Sequence, residues 1–226
     1  MRSFHQYNSK KMIETVLPIL KSNQIISLIS DAGTPTISDP GLDLIRACIE
    51  NSIKVYSIPG PSAVIASLVS SGISTDKFSF LGFAPRGNKE KKIFREKIIS
   101  AQETLIFFES PKRILKTLND LQIFLEGRRV ALVRELTKKN EEIINGTITN
   151  VLKKLEEKEK VLGEITVVIS ACSSKGLPEI SDHQILDSVK DLKVDNLSIS
   201  TMSKLIAEKY KVSKRRVYQL IIGNKR

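Results

Sequence analysis

A chain of 226 residues, 41% of them apolar and 27% charged, can bury one large core or two modest ones, and it has no apolar run near the roughly 20 residues that cross a bilayer. Its net charge of +11 at pH 7 disfavours cationic partners and favours a polyanion, through phosphate neutralisation and counterion release. Cys48 and Cys172 stand far apart, with only His5 and His183 to assist, so no metal site is expected and two buried thiols are.

The first residues, MRSFHQYNSKK, lack the long apolar core and small-residue cleavage site of a secretory signal, so a cytoplasmic protein is expected. Ile25 to Ile29 is short and isoleucine-rich and reads as a strand buried on both faces. The loop SDAGTPTISDPG, Ser30 to Gly41, follows it, and Leu42, Ile45, Cys48 and Ile49 recur at helical spacing from Leu42 to Asn51. Ile53 to Ile58 reads as a second strand, PGPSA (Pro59 to Ala63) as its loop, and Ala63 to Ser70 as an apolar helix stopped by Gly72. Strand, glycine-proline loop and helix in succession, twice over, is the rhythm of a parallel doubly wound sheet.

Ligands of such sheets bind beyond the carboxyl ends of the strands, where both loops belong. Pro35, Pro40, Pro59 and Pro61 fix φ, and Gly33, Gly41 and Gly60 allow backbone to approach a ligand. Asp31, Thr34, Ser38 and Ser62 offer hydrogen bonds to ribose-like or amino-acid-like groups. The alternative is a pair of tight turns in which Asp31 or Ser62 caps a helix.

SSGISTD, Ser70 to Asp76, reads as a linker to a second α+β unit. Its strands are expected at Lys77–Phe83, Thr104–Glu109, Arg129–Val133, Glu142–Asn145 and Glu164–Ile169, and its helices at Pro111–Leu125 and around Thr149–Glu157. Phe107 and Phe108 lie inside a strand, which favours core packing over base stacking. Between Pro85 and Lys97 six basic residues face two acidic ones; Arg86, Lys89, Lys91, Lys92 and Arg95 read as a mobile basic loop gripping RNA backbone, or as a solvated helix face. From Thr201 onward there are eight basic residues against Glu208 alone. Met202, Leu205, Ile206 and Tyr210 mark one short helix and Val217, Leu220 and Ile221 a second, which Ser213 can cap. Lys214, Arg215 and Arg216 open that second helix, where cations oppose the helix dipole unless an anion such as a nucleic-acid phosphate neutralises them. The expected division is a parallel α/β domain over 1–74, a mixed α/β domain over 75–172, a linker over 173–200 and a basic helix-turn-helix-like tail over 201–226.

SDAGTPTISDPG, IPGPSAVIASL, FLGFAPRG, FFESPKRI and VRELTKKNEEIINGT, in this order between about Ser3 and Ala171, resemble the tetrapyrrole-methylase-like family. Within it they are similar to the branch that methylates a cytidine 2′-hydroxyl in 16S ribosomal RNA, whose basic tail the last helix pair also resembles. The resemblance implies a two-domain α/β fold, with a parallel Rossmann-like sheet and a mixed-sheet domain. It implies S-adenosylmethionine as methyl donor, 16S rRNA or the small ribosomal subunit as partner, and a homodimer. Its cofactor motifs map onto Asp31, Ala32, Gly33, Thr34 and Ser38 in the first loop and onto Pro59, Gly60, Pro61, Ser62 and Ala63 in the second.

The family's pattern begins with a strand and a TPIGNLxD-like loop, then a helix and a strand ending in an AEDTR-like motif, ahead of the SFHQYN region that here starts at Ser3. The first sheet is therefore expected to lack at least one βαβ unit, about 30 residues or more, through a misassigned start or truncation. Such a sheet exposes apolar edges.

Methyl transfer to a ribose hydroxyl needs in-line positioning, exclusion of water and, usefully, a base within reach of the hydroxyl proton. Glu109 and Glu135 are the candidates for base or orienter, with Arg134 and Lys138 holding RNA phosphate or ribose. The alternative for these strand-end residues is a structural ion pair. Two other functions stay open: a methyltransferase acting on a tetrapyrrole or other small molecule, and a noncatalytic RNA-binding remnant.

Overall fold

The computed structural model describes residues 1–172, 182, 185, 186, 189, 198–210 and 214–223. They fall into two compact units, Met1–Cys172 and Ser173–Arg226. The first is built on a five-stranded mixed sheet of β1 (Phe78–Phe83), β2 (Thr104–Glu109), β3 (Arg129–Arg134), β4 (Glu142–Thr147) and β5 (Ile165–Ile169), in spatial order β1-β2-β5-β3-β4. The near-continuous apolar runs TLIFFE, RVALVR and ITVVI take the three inner positions, as strands buried on both faces must. β1 pairs parallel to β2, and the other pairs are antiparallel.

Strand alternation divides the apolar side chains between two faces. Leu105, Phe107, Val130, Leu132 and Val167 pack with Ile98 of α4 (Asn88–Ser100), Ile114 and Leu118 of α5 (Ile114–Leu121) and Val151 and Leu155 of α6 (Ile148–Glu156). Ile106, Ala131 and Val168 face the other way, onto Val64 and Leu68 of α3 (Ala63–Ser71). This α/β fold with a mixed sheet has its strands where the sequence pattern places them between Lys77 and Ile169.

The parallel sheet expected from Ile25–Ile29 and Ile53–Ile58 is not formed among the described residues. Neither segment joins a ladder, and side chains assigned to a buried strand stand in solvent, Ile25 at 95% and Ile58 at 84% exposure. β-propensity reports fit to a pleated, half-buried surface, and a strand exists only when a neighbour takes its N–H and C=O groups. The helices of this region do form. α1 (Ser9–Lys21), absent from the sequence expectation, packs on α2 (Leu42–Glu50) through Val16, Leu44 and Cys48, with Met12, Ile13 and Ile53 around them. Cys48 is accordingly buried, whereas Cys172 is only partly so. The Arg86–Arg95 region is also mainly helical: α4 begins at Asn88 and buries Ile98.

In the second unit, α7 (Ile199–Tyr210) and α8 (Lys214–Gly223) pair through Met202, Ile206, Val217 and Ile221. Ile185 and Val189 complete that core, so the stretch expected as a plain linker supplies buried apolar anchors. The turn between α7 and α8, with Ser213, lies outside the described residues.

Candidate functional site

The two proline-glycine loops meet. Thr34 Oγ1 donates to the carbonyl of Pro61 at 2.8 Å, bridging positions 27 residues apart. Within the first loop Ser30 Oγ donates to Ala32 O at 2.8 Å and Ile37 N–H to Thr34 O at 3.3 Å. Thr36 and Ser38, neither of them glycine, hold φ of +74° and +57°. Such conformations cost of order 1–3 kcal/mol each and concentrate at ligand clamps.

Ser62 caps α3, its hydroxyl accepting from Ile65 N–H at 3.4 Å, so the capping alternative holds for this residue. The Asp31 carboxylate and the Gly33 N–H have no partner among the described residues, and a Cβ at Gly33 would have nothing within 4 Å. An exposed carboxylate, an unengaged backbone donor and open glycines fit the ribose and amino-acid parts of a nucleotide such as S-adenosylmethionine.

β1, β2 and β3 run in the same direction, and their carboxyl ends bring Phe83, Glu109 and Arg134 to one edge of the sheet. The first loop reaches this edge at β1, where a Cβ on Gly82 would lie 3.7 Å from Ser38 Oγ. Glu109, however, shares the α5 face with Leu105 and Phe107, opposite the face that α3 covers. Its buried carboxylate accepts from Ser110 N–H at 2.7 Å, Arg113 Nη2 at 2.9 Å and Thr117 Oγ1 at 2.6 Å. Arg113 Nη2 also donates to Ala84 O at 2.6 Å and Pro85 O at 3.1 Å. Through Arg113, Glu109 ties down the segment that follows β1. Sequence reasoning does not single out Arg113 and Thr117; the i, i+4 spacing of Glu109 and Arg113 is the signal that could have found the pair.

Glu135, just past β3 with φ of +53°, accepts from Glu164 N–H at 2.9 Å and from Lys138 Nζ at 3.0 Å. These bonds, the backbone one foremost, hold its carboxyl below the usual range, and Lys138 is raised in turn by Glu135 and Glu164. A depressed carboxyl is a weaker proton acceptor. Arg134 reaches Glu142 through Nε and Nη2, both at 3.1 Å, and Leu162 O at 3.0 Å, while Lys158 meets Glu142 at 2.8 Å. Arg134, like Glu135, is thus in a structural ion-pair network of the kind the sequence left open.

Burial acts to raise the Glu142 carboxyl, but the bonds from Lys158 and Arg134 outweigh it and the net shift is downward. A folded-state value below the unfolded one contributes stability above the unfolded pKa, and this is lost as pH falls through the folded pKa. Glu142→Gln should therefore weaken the protein at neutral pH and flatten its loss of stability towards about pH 4. Urea midpoints across that interval give the comparison, and parallel curves for wild type and variant would contradict it.

The basic candidates stand on separate units. On the first, Arg86, Lys89, Lys92 and Arg95 are exposed; Lys91 approaches Asp120 at 3.9 Å and Arg95 covers the Phe124 ring at 5.5 Å. On the second, Lys214 donates to Ser200 Oγ at 3.2 Å, Arg216 pairs with Asp182 at 2.8 Å, and Arg215 is exposed. Among the described residues no three His, Cys, Asp or Glu side chains stand together to hold a metal ion, and no helix is long and apolar enough to cross a membrane.

Residues 2–152 match the family model of the tetrapyrrole (corrin/porphyrin) methylases. The chain is 38% identical over 219 residues to ribosomal RNA small subunit methyltransferase I of Synechocystis sp., covering 96% of this chain and 78% of that protein. Identity with the protein of the same name from Thermotoga maritima is 41% over 168 residues, 74% of this chain and 75% of the other. The solved methyltransferase CobJ matches with a TM-score of 0.55 at 14% identity, over 71% of this chain and 70% of that one, a likeness of fold.

Proposed function

The chain belongs to the tetrapyrrole (corrin/porphyrin) methylase family, and from that premise we propose that it is an S-adenosylmethionine-dependent methyltransferase of small-subunit ribosomal RNA. The finer reading is methylation of a cytidine 2′-hydroxyl in 16S rRNA. The observation that carries the methyltransferase reading is the Thr34–Pro61 bond, which brings the two loops together as walls of one site. The site is placed on Asp31, Gly33 and Thr34 of the first loop and Gly60, Pro61 and Ser62 of the second. S-adenosylmethionine, when bound, supplies a sulfonium methyl carbon that is already electrophilic. The protein's part is then to bind, orient and exclude water. Glu109 is read as a positioning residue, and Glu135 with Arg134 and Lys138 as the charged cluster at the sheet edge that engages the RNA. Cytoplasmic action and a homodimer belong to the same proposal; exposed Ile25, Ile29, Tyr56 and Ile58 offer apolar surface to a second copy.

The test is transfer of labelled methyl from S-adenosylmethionine to 16S rRNA and to small ribosomal subunits, followed by alkaline hydrolysis. The label should survive in an alkali-resistant dinucleotide containing cytidine, because a 2′-O-methyl group blocks cleavage. Label on a base, or none in RNA, would remove the finer or the whole reading respectively.

RNA affinity should depend on Lys214 and Arg215. Replacing both with alanine should reduce the slope of log affinity against log salt by about 0.7 for each phosphate no longer neutralised, leaving binding of S-adenosylmethionine unchanged. An unaltered slope would take the second unit out of the RNA interface.

A further inference from the structure

We propose that Phe83 is a stacking platform for a nucleobase at the carboxyl edge of the sheet; this rests on the methyltransferase reading and extends its site. The ladder between β1 and β2 is uneven. Phe80 pairs with Ile106, but the next pair is Phe83 with Phe108, so β1 spends three residues where β2 spends two. The excess residue makes a bulge, and Gly82 occupies it with φ of +69°, a conformation that favours glycine.

Regular alternation would put residue 83 opposite residue 80. The bulge instead brings Phe83 to the face of Phe80 and Phe108, and Ala84 accordingly joins the core on the α5 side. That chosen face is the one α3 covers, and α3 begins at the second loop. The first loop is also at hand through Ser38 beside Gly82. Bulges beside functional sites re-aim side chains, and here the side chain re-aimed is a phenylalanine next to Gly82, beside the first loop and on the face that α3 covers.

The ring is braced and open. Phe83 meets Phe108 edge to face at 5.4 Å between centroids, and Phe108 meets Phe80 at 4.8 Å, both of the latter packed against the α3 core. An edge-to-face contact steadies a ring without covering both its faces. Phe83 remains 58% exposed, whereas Phe107, on the other face of the neighbouring strand, is 0% exposed. A rigid, half-open aromatic ring is suited to a flat π-surface, and exposed Arg86 lies three residues on, ready for a phosphate. Nucleobases share this chemistry whether the ring is the adenine of the cofactor or a base of the RNA.

The experiment compares Phe83→Leu, which keeps apolar bulk but loses the ring, with Phe83→Trp, which keeps a ring. Calorimetry with S-adenosylhomocysteine probes the adenine, and filter binding with purified 16S rRNA probes the RNA base. Phe83→Leu should lose about 5- to 150-fold in affinity for one of the two, and Phe83→Trp should retain it. A loss for S-adenosylhomocysteine assigns the platform to the cofactor, and a loss for rRNA alone assigns it to the substrate. Phe83→Leu within twofold of wild type for both probes overturns the proposal. Wild type binding neither probe overturns the methyltransferase reading and the platform with it, while a lowered urea midpoint in Phe83→Leu with both affinities kept marks the ring as structural and also overturns it.

Discussion

Gly60→Val should reduce affinity for S-adenosylmethionine by about 100-fold or more, equivalent to about 2.7 kcal/mol, while leaving the urea midpoint of the protein where it was. The separation of these two effects follows from the local space. Among the described residues a Cβ at Gly60 would have as its sole near neighbour the carbonyl of Ile58, at 3.8 Å, so the folded chain accepts a larger side chain. Gly60 is also absent from the positive-φ positions, so valine meets no left-handed strain there. Its branched methyl groups instead fill space beside Pro61, whose carbonyl ties the second loop to Thr34. A ligand between the loops must then shift or be excluded. Isothermal calorimetry gives the affinity directly, and wild-type affinity in the variant would take Gly60 out of the pocket.

Arg113→Met should destabilise the protein by about 3 kcal/mol, because it leaves a buried carboxylate without its counter-charge. The Glu109 side chain is 1% exposed, and its ion pair with Arg113 is 2.9 Å long. Removing the guanidinium leaves Ser110 N–H and Thr117 Oγ1 as donors and strips Ala84 O and Pro85 O of theirs. Adding Glu109→Gln to the same chain should restore a large part of the loss, since the amide carries no charge to bury and the two sites couple directly. Urea unfolding of wild type, both single variants and the double variant measures that coupling. A deficit below about 1 kcal/mol in Arg113→Met would show that solvent, which reaches a quarter of its side chain (26%), replaces the guanidinium.

The sheet was legible because TLIFFE, RVALVR and ITVVI are short, near-continuous apolar runs that have one another as neighbours, and the helices between them carry clear stripes such as Ile114, Leu118 and Leu121. Ile25–Ile29 is as short and apolar, and Ile53–Ile58 mixes apolar residues with Lys54 and Ser57, yet neither forms a ladder, since pairing depends on a neighbour that a local pattern does not contain. α1 carries Met12, Ile13, Val16 and Leu20 at helical spacing, but Pro18, which lacks an N–H for the helix, interrupts that pattern near its end. The Ile185 and Val189 anchors are too sparse to mark a core until Met202 and Val217 are seen against them.

For the site, the two loops were legible from proline and glycine after apolar runs, and Thr34–Pro61 joins them. The roles of the charged residues were not, because type and position at a strand end do not reveal which face a side chain takes or how many donors it meets. Glu109 shows this, with three donors around it on the α5 face. Phe83 was hidden for a related reason: alternation assigns it to the wrong face unless Gly82 is read as a bulge.

The spatial order β1-β2-β5-β3-β4 puts the last strand in sequence between two earlier ones. A chain emerging from the ribosome at about 5–20 residues per second therefore completes β2 roughly 3–12 s before β5 is available to lie beside it. During that interval β2 has one flank open, and so does the β3–β4 hairpin once it is made. Leu105, Phe107, Val130 and Leu132 then await the strand that joins the halves, which leaves the nascent chain open to aggregation until synthesis reaches Ile169.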